Sequence, residues 1–172
     1  MKFKLLMILI PLLFIDNIHS QNNDFKMFSI SPAFSVVFDK DHNIDYFLSL
    51  GGELFIFKEY KNKKHFRFFE INKFGVFYSY SMKEENNYLS LGYSIMPPIK
   101  PGYADYPLRY LIGINGGYNI DKNIFGIIPE IGVTFFVITS LSYRFNIYFD
   151  KVLSNKHEFT LKIGIIPKMF ME

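Results

Sequence analysis

Residues 141–147 read LSYRFNI, and the two interleaved sets within them differ in chemistry. Leu141, Tyr143, Phe145 and Ile147 are apolar or aromatic, whereas Ser142, Arg144 and Asn146 are polar. Successive side chains of an extended chain point to opposite sides, so this alternation describes a strand with one apolar and one polar face. Downstream, Phe159, Leu161, Ile163 and Ile165 oppose Thr160, Lys162 and Gly164. Upstream, Ile127, Ile131, Val133 and Phe135 oppose Glu130, Gly132 and Thr134, and Tyr110, Ile112, Ile114 and Tyr118 oppose Gly113, Asn115 and Gly117.

The rhythm continues toward the N-terminus. Leu89, Leu91, Tyr93 and Ile95 alternate with Ser90, Gly92 and Ser94, while Leu48, Leu50, Leu54 and Ile56 alternate with Ser49, Gly51 and Glu53. Phe28, Ile30, Phe34 and Val36 oppose Ser29, Ser31, Ala33 and Ser35. Strands are expected over 25–37, 44–58, 65–80, 87–96, 108–119, 124–136, 140–149 and 157–167. Only the third leaves its phase open, because Phe66, Phe68, Phe69, Phe74, Phe77 and Tyr78 fall on both faces. Polar clusters such as Asp39 to Asn43 and Lys83 to Asn86 separate the segments with turn chemistry. Pro97 to Pro107 holds four prolines and cannot continue a ladder. Pro32 and Pro129 fall inside strands on the apolar face, where each removes a ladder bond and predicts a local bulge.

Eight such segments bury an apolar face in one of two ways. A soluble sandwich or barrel turns it inward; an outer-membrane barrel turns it toward lipid and lines a narrow interior with the polar face. The polar face decides. It is rich in Ser and Gly, which suits a crowded interior, where a water-facing strand would carry long charged side chains. The expected fold is all-β: a closed antiparallel up-and-down barrel of about eight strands, transmembrane in type. Tyr46, Tyr78, Tyr80, Tyr88 and Tyr118 fall at one set of strand ends, and Phe57, Tyr60, Tyr110, Phe135 and Tyr143 at the other. Two such rings match the interfacial girdles of membrane barrels, although strands are enriched in aromatics in any case.

Residues 1–20 read as a secretory signal, and 21–172 as a single barrel domain. Lys2 and Lys4 precede the apolar run Leu5 to Ile15, and Ser20 offers a small residue before Gln21. That run is well short of the roughly 20 residues a membrane helix needs. The chain has no cysteine, which excludes a disulfide framework, a thiol nucleophile and the acylated Cys of a lipoprotein. Without residues 1–20, 17 basic residues face 15 acidic ones and no basic stripe stands out, so nucleic acid is not an expected partner.

Length, signal and strand rhythm over roughly Phe25 to Pro167 resemble the small eight-stranded outer-membrane barrels of the OmpA/OmpX type and the short barrel-domain proteins of Bacteroidetes. One departure is terminal. Such proteins often end on an in-phase Phe, whereas Phe170 is out of phase with Phe159 and Ile163 and is followed by Met171 and Glu172. The resemblance implies a monomer in the cell outer membrane, with membrane lipid, periplasmic chaperones and the barrel-assembly machinery as its partners.

The candidate site is a set of charges on the polar face: Glu53, Glu130, Arg144 and Lys162. Inside a closed barrel each would be costly unpaired. The interior of eight strands is just wide enough for side chains to fill it. A salt-bridged plug is the expected role, with a gate or ion path as its rival. Catalytic, cofactor and metal residues are not expected. His42, His65 and His157 read as loop residues without ligand spacing, and Ser154 near His157 does not make a triad. The functional expectation is a structural or surface-interaction role without enzymatic activity. The alternatives are an exported soluble ligand- or lipid-binding barrel, a membrane-embedded lipid-modifying enzyme and a narrow pore.

Overall fold

The computed structural model describes residues 25–61, 67–97, 108–136, 138–150 and 155–166; the signal segment, His65, Phe66, Ser154, most of the Pro97–Pro107 break and the terminal Phe170 lie outside them. The described residues form eight strands: β1 (Phe25–Asp39), β2 (Ile44–Lys61), β3 (Arg67–Ser81), β4 (Asn87–Met96), β5 (Leu108–Asn119), β6 (Ile124–Phe135), β7 (Thr139–Tyr148) and β8 (Lys156–Ile163). Each pairs antiparallel with its neighbours, and β8 returns to β1 to close the barrel.

Register can be followed once around the wall through inward-facing residues. Met27 pairs with Phe55, then Lys73, Ser94, Gly113, Glu130, Arg144 and Glu158 in turn, and Glu158 pairs with Val37 of β1. The circuit therefore returns ten residues along β1 from its start, the stagger that tilted strands need to close a barrel.

The barrel is inverted relative to a soluble protein. Lys162 and Glu53 are 1% exposed, whereas Leu91 is 66% and Ile112 57% exposed. The outer wall carries Leu50, Ile114, Ile131, Leu141 and Leu161, all exposed. An apolar band of that extent in water would be an aggregating surface. Facing hydrocarbon, it needs no cover, and closure satisfies the backbone without an edge. This is a transmembrane β-barrel, and the soluble alternative, which requires the apolar face inside, is set aside.

Strand three takes a definite phase. Ile71, Lys73, Gly75, Phe77 and Ser81 turn inward, while Phe74, Tyr78 and Tyr80 face out. The aromatics misled because Phe77 is an interior residue. Its ring lies where a Cβ on Gly51 would be, 2.4 Å from the ring, so two glycines (Gly51 and Gly75) make room for it.

The two prolines behave differently from expectation. Neither makes a bulge: the β1–β2 and β5–β6 registers run through Pro32 and Pro129 without a slip. Each instead interrupts the ladder on its other side. Pairing of β1 with β8 stops at Ala33–Lys162 and resumes only as the Ile30–Ile165 bridge, and pairing of β6 with β7 skips from Ile127 to Glu130. The strand β8 also ends earlier than the alternation suggests, at Ile163, although the Gly164 amide still donates to the Ile138 carbonyl at 2.8 Å and Ile165 bridges Ile30.

Tyr46, Tyr78, Tyr80 and Tyr118 form an outward set at the rim that carries the β1–β2, β3–β4 and β5–β6 turns, here termed the hairpin rim. The hydroxyls of Tyr78 and Tyr118 donate to Asn87 and to Asn123. Tyr88 is a correction to that ring: it points inward and stacks on Phe47 at 5.0 Å. Toward the other rim, Tyr110 and Phe135 face out, but Phe57 packs against interior residues and Tyr143 sits mid-strand.

Candidate functional site

The interior is layered. Near the hairpin rim lies an apolar layer of Val37, Phe47, Tyr88, Ile124 and Tyr148. Toward the opposite rim lies another, of Phe55, Ile71, Met96 and Leu111 with Met27 and Phe57 against it. Between them sit the charges. Alternation along each strand brings every one of these side chains inside, and the stagger sets their depth.

All four expected residues, Glu53, Glu130, Arg144 and Lys162, are buried in the middle layer, but they form two pairs on different parts of the wall. Lys162 Nζ lies 2.8 Å from Glu53 Oε1, and Arg144 Nε lies 3.1 Å from Glu130 Oε1. Each pair recruits one further charge that sequence reading missed. Lys73 Nζ is 3.0 Å from Glu53 Oε1, and Arg144 Nη1 is 3.4 Å from Glu158 Oε1. The first cluster thus holds two bases around one acid, the second two acids around one base, and together they are neutral. Lys73 was hidden by the undecided phase of strand three. Glu158 stands near the start of β8 and shares the parity of Thr160 and Lys162, the signal that could have found it.

Neutral donors complete the set. The Ser31 hydroxyl donates to Glu53 at 2.7 Å. Ser142 donates to Glu130 at 2.7 Å, and Asn115 at 3.3 Å. Glu158 accepts from Ser35 at 2.7 Å, Thr160 at 2.8 Å and Asn146 at 3.0 Å. Lys162 also sits 4.5 Å from the centre of the Phe77 ring. A buried carboxylate or ammonium with this many partners avoids most of the penalty of leaving water. Glycine supplies the space: a Cβ on Gly92 would fall 1.6 Å from Asn115 Oδ1.

A second polar cluster lies at the hairpin rim, where Asp39, Asn43, Asp45, Lys83, Glu84 and Lys156 line a recess of about 260 Å³. Asp45 accepts from the Ser81 hydroxyl and the Lys83 amide, and Glu84 pairs with Lys156 and, at 3.2 Å, with Lys122. Partial burial raises the Glu84 carboxyl, but hydrogen bonds and charge from the two lysines outweigh it and hold the group down to about 2. Asp39 is lowered too, first by the Asn43 side chain.

The histidines fall apart. His42 is in the first hairpin turn in a left-handed conformation (φ 60°), and His157 is a strand residue on the outer wall, its Nδ1 2.6 Å from the Tyr143 hydroxyl and its ring beside Phe145. Among the described residues no group of three His, Cys, Asp or Glu is arranged to hold a metal.

No family model matches the sequence, and no curated protein matches it. Solved structures do. One, described as de novo design of transmembrane beta-barrels, is 13% identical with a TM-score of 0.42, covering 80% of this chain and 95% of its own. Another, the crystal structure of the outer membrane enzyme PagL, is 15% identical with a TM-score of 0.45, covering 80% of this chain and 98% of its own. The expectation that the chain is no enzyme is corrected on this point: one of the matched structures is an outer membrane enzyme.

Proposed function

We propose that the protein is an exported, monomeric outer-membrane barrel whose lumen is plugged by its own charges and whose role is structural or surface-directed. The observation that carries the reading is the layered interior: six mutually paired charges between two apolar layers. A continuous polar column would favour ion passage, whereas apolar side chains on both sides of a buried charge layer oppose it. Outer-membrane lipid is the partner of the wall, with periplasmic chaperones and the assembly machinery acting during biogenesis. The test is reconstitution in planar bilayers. The wild-type chain is expected to give no discrete conductance, and Arg144→Ala combined with Phe47→Ala to give steps; steps from the wild-type chain would overturn the plug.

A further inference from the structure

Closure of the barrel depends on one strand pair, and that pair is compromised. Proline has no N–H, and Pro32 stands on β1 opposite Ile163, where the β1–β8 ladder is interrupted. The break lies in the lipid-facing wall, where no water replaces the missing bond.

The lumen side of the same spot is unusually well tied. Ser31 and Ala33 flank Pro32, and Ala33 pairs with Lys162, the neighbour of Ile163. Among the described residues the Lys162 ammonium makes no hydrogen bond to β1. Its ammonium reaches past that strand to Glu53 of β2 at 2.8 Å, and the same carboxylate accepts from Ser31 of β1 at 2.7 Å. The three residues are 0–1% exposed. Further toward the hairpin rim, Ser35 of β1 bonds Glu158 of β8 at 2.7 Å and Thr160 of β8 at 2.9 Å. Charged hydrogen bonds thus bridge β8, β1 and β2 directly behind the proline break.

We infer that Lys162, Glu53 and Ser31 form a latch, closing from the lumen a lateral seam between β1 and β8 that the proline leaves weak toward the bilayer. This rests on the barrel reading above and deepens it. The plug and the latch share residues, but the latch makes opening directional, sideways between two strands rather than along the axis. Lys73 supplies the contrast. It binds the same carboxylate at 3.0 Å from β3, on the side away from the seam, and is only 4% exposed.

Hydrogen exchange read by mass spectrometry on the refolded full chain separates the two lysines. Lys162→Met leaves the Glu53–Lys73 pair intact but cuts the bridge across the seam. Exchange of β1 amides around 31–34 and β8 amides around 160–165 is expected to accelerate at least about tenfold, the scale of a lost hydrogen bond to a charged group, with β4 and β5 unchanged. Lys73→Met is expected to leave the seam close to wild type. Ser31→Ala gives a milder version should Lys162→Met fail to fold. Ser35→Cys with Thr160→Cys, in a chain that has no other cysteine, is expected to form a disulfide across the seam and abolish the acceleration. Equal acceleration of all strands in Lys162→Met, or seam opening by Lys73→Met as large as by Lys162→Met, would overturn the latch. Failure of the plugged-barrel reading looks different: the wild-type chain would then give conductance steps in planar bilayers, whatever the exchange at its seam.

Discussion

A buried charge is judged by what remains when its partner is removed. Glu130→Gln strips Arg144 of its closer carboxylate, 3.1 Å away, and leaves it only Glu158 at 3.4 Å. Breaking a buried pair on one side costs about 3–5 kcal/mol, and the remaining partner places this variant near the lower end, about 3 kcal/mol in urea unfolding. Glu158→Gln is expected to cost less, because Ser35, Thr160 and Asn146 can rearrange around an amide. Glu84 offers a pH test at the rim. Its carboxyl is held at about 2 against an ordinary value of 4.5, so the folded state binds the proton less well than the unfolded chain. The stabilisation is fully present above pH 4.5 and is lost as pH falls from there through 2. Unfolding midpoints measured between pH 6 and 2.5 are expected to fall less steeply for Glu84→Gln than for wild type. At this scale the sequence was half legible. Parity alone located Glu53, Glu130, Arg144 and Lys162 inside, but partners depend on stagger, which no single strand reveals. That is why Glu130 meets Arg144 on the neighbouring strand while Glu53 meets Lys162 and the unforeseen Lys73.

Among the elements, period-two alternation gave β4 and β5 to the residue and missed mainly where other forces intrude. An aromatic interior residue, Phe77, blurred β3, because burying a ring in a lumen depends on glycines in two strands, Gly51 and Gly75. Pro32 and Pro129 were expected to produce local bulges and instead leave the register intact, since each missing donor faces a single neighbour. Pro32→Val tests this. The restored bond to β8 is worth about 1 kcal/mol, offset by a looser unfolded chain of similar size. Global stability is therefore expected to stay within about 1 kcal/mol while β8 amides near Ile163 exchange more slowly. Unchanged exchange there would mean that the break has another cause.

At the level of the whole molecule, one inversion organises everything: apolar residues outward, paired charges inward. It follows from the Ser and Gly content of the polar face, and it was the most legible feature of the sequence. The choice of biochemical role was not legible, because role lives in a site and not in a wall. The most direct test of the inversion is electrophoresis of the membrane fraction in SDS, unboiled against boiled. A closed membrane barrel is expected to remain folded in the cold detergent and to change mobility on boiling. Recovery in the soluble fraction with no mobility shift would contradict the account, since the exposed Leu50, Leu91 and Ile112 would then have to be facing water.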